Sequence, residues 1–461
     1  MNWRPSSNVM TALLISVQLG GLGLAVVHPL APYLLILGML GIGFAIAYHH
    51  LIITLLGNLY VIKAVLISSV PGLAFIDPII ILAVLSYSYI IWTVGTERGR
   101  QAVNRHGHLL LAVVAWIGFV LMSTVYAPML GEALVKAGRF AFIVPALFLG
   151  PLVLIQSSRD ARLLLGLFIA LGVISALLLY AKMWGIATGS AIEDPSLRLS
   201  ILGTNPIATS RILVVSVAMI AAAIIGRTLS AIKWMPVIIF LLGAALLTGS
   251  RGPLLSLLLA GVVLGLLYAG RPRRILLGGI LSVVILVAIF LVLAPEGMTG
   301  RYFALTQGEL GVSKQGLRVF STVVSRFRLW EIALESWTSS SFNLLFGTGV
   351  GGYAALITWR DYQYPHNLLL EVLVEFGLVG AAVFSWQIAL VFRRLFSRSI
   401  QQISPEASMW LAAIFTFFIS TMFSGDLNDN RLLWYFLAAY IATLSLKTGV
   451  TAQTAQTDRN Y

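Results

Sequence analysis

Along almost the whole chain of 461 residues, apolar positions come in unbroken runs separated by short polar breaks. The runs are roughly 17 to 25 residues long, enough to cross ~30 Å of hydrocarbon as helices, and they lack the apolar–polar alternation of membrane strands. The pattern predicts about fourteen spans, near residues 8–27, 31–48, 51–71, 76–95, 109–126, 140–156, 163–186, 207–226, 234–249, 253–269, 275–294, 367–391, 407–424 and 431–447. This is an all-α fold, a polytopic transmembrane helical bundle. One connection stands out: residues 295–366 are too long for an ordinary loop. Within it, "LRVFSTVVSRFRLWEIALESW" repeats apolar residues at helical spacing with Arg318, Arg326 and Arg328 between them, which suits a helix on a membrane surface. The organisation predicted is therefore helices through 1–294, an outer segment with interfacial helices over 295–366, three last spans within 367–447 and a disordered polar tail over 448–461.

Composition agrees. With 59% hydrophobic and 10% charged residues, the chain has too little polar surface to cover a water-soluble globule of its size. Its net charge of +13 gathers in alternate connections, including Arg98, Arg100 and Arg105, Arg159 and Arg162, and Arg393, Arg394 and Arg398. The positive-inside rule makes these cytoplasmic, with both termini on that side and the 295–366 segment outside. Topogenic charge and contact with anionic lipid account for the basicity, so no nucleic-acid partner is expected. No cysteine is present, which excludes disulfides and thiolate chemistry.

The stretch "YPHNLLLEVLVEFGLVG" (364–380) opens a span on a histidine. Pro365 suits a helix start and Asn367 can satisfy free backbone N–H groups there. If the helix included His366, steps of about 100° would bring Gly377 within about 20° of it and Gly380 within about 40°, placing all three on one face for close helix packing. Glu371 and Glu375 would point the other way and need partners elsewhere. Taken alone, His366 reads as an interfacial or capping residue. Its company changes that. Arg211 begins one span, Arg251 sits in the tight turn "TGSRGPLL", and Arg326 and Arg328 lie in the outer segment, all on the same side in this topology. Each arginine alone could anchor at the interface or pair with Glu193, Asp194, Asp426 or Asp429; together they suit a phosphorylated lipid, because guanidinium grips phosphate oxygens through paired hydrogen bonds. Tyr353 and Tyr364 could stack on sugar rings or belong to an aromatic belt. Lys63 and Lys182 are cations within spans that this scheme does not use.

These residues resemble the O-antigen ligase and polymerase superfamily of bacterial envelope glycosyltransferases. The ligase signature is His, then Asn, Ser or Gln, a nine-residue gap, Gly, two residues, and Gly, Thr or Tyr; His366, Asn367, Gly377, Leu378, Val379 and Gly380 fit it throughout. "TGSRGPLL" and "RLWEIALE" followed by "FGTGVGG" are also similar to the family's central region. The resemblance implies a GT-C-like bundle of about 12–14 spans sized for the bilayer in the bacterial inner membrane, with its active site facing the periplasm. It implies transfer of a preassembled glycan from undecaprenyl pyrophosphate to a hydroxyl of the lipid A core. His366 would be the general base and Arg211 and Arg251 the leaving-group clamp, supported by Arg328 and Arg326, with Asn367, Tyr353 and Tyr364 at the substrate. Neither metal nor other cofactor is expected, and a neutral base favours inversion. Polymerase and protein O-oligosaccharyltransferase differ from this reading only in the acceptor, and a lipid-linked glycan flippase remains as a different class.

Overall fold

The computed structural model describes residues 47–58, 78–188, 199–201, 205–267, 309–312, 318–320, 322–357, 364–396 and 403–457. The runs at 8–27 and 275–294, most of those at 31–48 and 51–71, and Lys63, Glu193 and Asp194 lie outside the described residues. The helices are α1 (His49–Gly57), α2 (Pro78–Val94), α3 (Glu97–Arg105), α4 (Gly107–Met122), α5 (Leu130–Leu154), α6 (Ser158–Ala187), α7 (Pro206–Ile225), α8 (Ala231–Leu247) and α9 (Arg251–Leu267). A short antiparallel hairpin follows, β1 (Glu309–Val312) and β2 (Arg318–Phe320), then α10 (Thr322–Thr338), α11 (Ser341–Phe346), α12 (Gly352–Ala355), α13 (Leu368–Phe396), α14 (Pro405–Thr421) and α15 (Leu432–Thr457). The fold is an all-α membrane bundle, and the hairpin and the short polar helix α3 are among its additions to the predicted pattern. Among the described residues, five helices are long and apolar enough to cross a membrane (a sixth if the bent pair α2–α3 is one span), and α8, α9 and part of α15 are shorter apolar helices.

Local chemistry sets where the helices start. Asn205 caps α7 by accepting from the Ile207 N–H, with Pro206 in the first turn; Ser404 caps α14 by accepting from the Ala407 N–H, followed by Pro405. α5 begins ten residues before the predicted run at 140, because Glu132, Lys136 and Arg139 lower its hydropathy without breaking its helix. α15 continues to Thr457, past residue 448 where a disordered tail was expected; its Ala and Gln residues are good helix formers.

The bundle is apolar inside and around its perimeter. Trp116 of α4 meets Phe376 and Phe384 of α13 at ring-centroid distances of 5.0 and 5.4 Å, and Phe140 of α5 meets Trp434 of α15 at 5.2 Å, joining four helices in one aromatic core. On the rim, Ile91, Met122, Trp184 and Ile232 are exposed, as befits side chains whose solvent is lipid. α7 packs on α14, which also carries α9 and α15. The starts of α5, α7, α9, α13 and α15 and the end of α14 gather at one end of the bundle. The opposite end holds Arg162 of α6 beside Glu406 of α14 at 3.8 Å, and the basic helix α3.

The glycines of α13 play a different part from the one expected. Gly377 breaks the helix with φ 62° and ψ −165°, a conformation that glycine alone adopts readily, so no regular face runs from residue 366 to residue 380. The break leaves the carbonyls of Val374 and Glu375 without their helical donors. A strap supplies them: Thr348 N–H donates to Val374 at 2.8 Å and Gly349 N–H to Glu375 at 2.9 Å. The approach is so close that a Cβ on Gly377 would lie 2.4 Å from the backbone of Leu345, and one on Gly347 2.3 Å from that of Glu375. Gly380 abuts Phe119 of α4, where a Cβ would sit 2.9 Å from the ring. These glycines do serve packing, through a broken helix and a docked strap.

Candidate active site

His366 is not part of the helix. Its φ is 57°, in the left-handed region, and α13 starts two residues later. The cap is Asn367, whose Oδ1 accepts from the N–H groups of Leu369 at 3.0 Å and Leu370 at 3.2 Å. Its side-chain oxygen is therefore committed to the backbone instead of a substrate. The segment is pinned from above by Trp330 of α10, whose Nε1–H donates to the Pro365 carbonyl at 3.0 Å. Asn367→Ala is expected to lower unfolding stability by about 1 kcal/mol and Asn367→Asp to restore it, read by denaturant unfolding in detergent; equal stability of the alanine variant would contradict the capping role.

Arg211, in the second turn of α7, is buried and held by four hydrogen bonds. Its Nε–H donates to Ser420 Oγ at 2.9 Å, its Nη1 to Asn430 Oδ1 at 3.0 Å, and its Nη2 to the carbonyls of Ser420, at 3.0 Å, and Ser424. Phe417 lies under the guanidinium, 5.4 Å from it. Gly425 has φ 83°, and a Cβ there would come within 2.7 Å of Nη1, so the turn after α14 admits the guanidinium only because this residue is glycine. All four acceptors are neutral. The charge is fixed in direction but not cancelled by a contacting carboxylate, although Asp426, Tyr364 and Arg326 are within electrostatic reach. Arg211 also lines a cleft with Asn205, Ala208, Ser424 and Asp429.

Tyr364 connects this guanidinium to the histidine. Its ring is 4.3 Å from that of His366, and its phenol lies beside the Ser424 side chain and within electrostatic reach of Arg211. Burial, reinforced by Asp426, raises the phenol above its ordinary value, so it stays a neutral hydrogen-bonding group. Arg251 opens α9 at the same end, where the adjacent Gly252 abuts Phe423, one residue before Ser424. Of the two arginines on α10, Arg326 is the one whose charge Arg211 senses. Arg328 is exposed and lines a groove with Phe327, Glu331 and Glu335, on another face of that helix. The structure thus brings His366, Tyr364, Arg211, Arg251 and Arg326 to one end of the bundle and turns Arg328 away.

Tyr353 does not face a substrate space. It is fully buried, its hydroxyl donates to the Leu329 carbonyl at 2.8 Å, and burial pushes that phenol well up. It fastens α10 to α12, and aromatic character alone could not distinguish this role from sugar stacking. The partner that Glu371 and Glu375 required is Lys136 of α5, missed in the sequence because it lies more than two hundred residues away. Its Nζ contacts Glu371 Oε1 at 2.6 Å and both Glu375 oxygens at 2.8 and 2.9 Å. Lys182 donates to the Ser200 carbonyl at 3.1 Å. Among the described residues, no three His, Asp or Glu side chains are grouped to hold a metal.

Residues 236–385 match the family model described as O-Antigen ligase, an interval that contains Arg251, Arg326, His366 and the broken helix. Arg211 lies outside it. No curated protein matches the chain.

Proposed function

We propose, taking the O-antigen ligase family domain over residues 236–385 as premise, that this multi-pass membrane protein transfers a preassembled glycan from undecaprenyl pyrophosphate to a hydroxyl of lipid A core. The observation that carries the reading is the pairing, at one end of the bundle, of a buried guanidinium held by neutral acceptors with a histidine linked to it through Tyr364.

In the proposed reaction, neutral His366 takes the proton of the acceptor hydroxyl as its oxygen attacks the anomeric carbon and the bond to pyrophosphate breaks. Negative charge grows on the departing pyrophosphate. Arg211 meets it with a positive charge already fixed in place by its neutral acceptors, and Arg251 and Arg326 add to the positive field. This assigns Arg326 the supporting place that the sequence reading shared with Arg328. Tyr364 borders both the base and the clamp and would contact the donor. Attack opposite the leaving group inverts the anomeric centre, and the donor linkage provides the driving force without nucleotide. In this scheme the arginines supply the positive charge at the leaving group, so the proposed reaction calls for no metal. The site end would face the periplasm and the arginine-rich end, with Arg98, Arg100, Arg105 and Arg159, the cytoplasm of an inner membrane.

The test is transfer by purified protein from lipid-linked glycan to rough lipopolysaccharide without nucleotide. His366→Ala is expected to lower turnover by about 10²-fold. Wild-type turnover in that variant would remove the assigned base, and elongation of the lipid-linked glycan in place of its transfer would move the protein to the polymerases.

A further inference from the structure

The buried ion cluster is not isolated from the site. Glu371 lies one helical turn after Asn367, and its N–H donates to the Asn367 carbonyl at 2.9 Å. Its Oε1 accepts from Lys136 and also from the Leu427 N–H at 3.1 Å. Leu427 is in the turn between α14 and α15 that carries Ser424 and Asn430, two of the residues gripping Arg211. The same turn is tied to α5 through Asn428 Nδ2, which donates to the Lys136 carbonyl at 3.2 Å, and closes on itself through Asn430 Nδ2, which donates to Gly425 at 3.1 Å. One carboxylate therefore spans from the helix start beside His366 to the turn that orients Arg211. Glu371, Leu427 and Asn430 are all fully buried, so water cannot substitute for this contact without opening the packing.

We infer that Glu371 is a positioning residue, setting the spacing between His366 and Arg211 through its bond to the Leu427 N–H, with Lys136 and Glu375 holding its carboxylate in place. The inference rests on the transfer reading above for its catalytic consequence, but the contact itself can be tested independently. A glutamine at this position keeps a carbonyl oxygen able to accept from both Lys136 and Leu427, and Glu375 still neutralises the ammonium; a leucine keeps the volume and loses the acceptor.

The experiment compares full-length wild type, Glu371→Gln and Glu371→Leu. Hydrogen exchange of the peptide covering residues 424–430 reads the contact, and steady-state transfer to rough lipopolysaccharide reads its effect. In the leucine variant, exchange of that turn is expected to quicken at least about tenfold and kcat to fall about 10²-fold, as for a displacement of ~1 Å, with KM changing less than about threefold. The glutamine variant is expected to exchange like wild type and to retain most of kcat. Unchanged exchange in the leucine variant, or a glutamine variant as impaired as leucine, overturns the inference. So does failure of the leucine variant to yield folded protein while glutamine is normal, since that assigns the contact to architecture. If wild type itself does not transfer glycan, the functional reading fails while the exchange result still decides the positioning role.

Discussion

Lys136→Met is expected to destabilise the folded protein by about 3–5 kcal/mol. Two carboxyl groups with no exposed surface, Glu371 and Glu375, share that single ammonium at 2.6 to 2.9 Å. Methionine fills a similar volume and leaves both without a cation, in a place where solvation cannot compensate them. The cost belongs to the orphaned carboxyls more than to the lost lysine. Combining Lys136→Met with Glu371→Gln and Glu375→Gln should therefore recover most of the loss, because the amides remove the charge and residue 371 keeps an acceptor for Leu427. Thermal unfolding in detergent, together with the yield of monodisperse protein, checks both statements. A single variant that melts with wild type would show that the cluster contributes little.

Arg211→Ala is expected to reduce glycan transfer by about 10³-fold, at the upper end of what loss of one preorganised charge donor costs. The substitution removes the guanidinium and leaves the carbonyls of Ser420 and Ser424 and the Asn430 amide oxygen without their donor. Arg211→Lys separates the two effects. An ammonium restores the charge but cannot reproduce the planar fork that reaches Ser420, Ser424 and Asn430 together, so an intermediate rate is expected. Comparing kcat and donor KM with the melting temperature of each variant distinguishes loss of chemistry from loss of the fold. Full turnover in the alanine variant would end the proposed role of this arginine.

Much of the scaffold was legible in the sequence because lipid imposes length and helix caps impose starts. Asn205–Pro206 and Ser404–Pro405 mark the first turns of α7 and α14 within two residues of the predicted spans. The grouping of His366, Arg211 and Arg251 at one end also followed from counting spans. What failed was phase. Placing His366 on a regular helix gave a face shared with Gly377 and Gly380, but one left-handed residue and one non-helical glycine remove that face. The choice between Arg326 and Arg328 turned on about 200° of helix rotation, two steps of about 100°, which only the packing of α10 decides. Glu371 and Glu375, two acids within an apolar run, were expected to need partners elsewhere. Nothing local singled out Lys136, since its helix extends beyond the apolar run where the span was expected to begin.

The strap at residues 347–349 has a consequence for biogenesis. It precedes α13 in the chain, so it leaves the ribosome first, and in the proposed orientation it belongs to a segment that crosses the bilayer. Without the strap, the broken form of α13 would leave the Val374 and Glu375 carbonyls with no donor in lipid. In the proposed orientation the broken form of the span is therefore completed only once the strap has reached the far side, which ties the final shape of α13 to export of the segment before it.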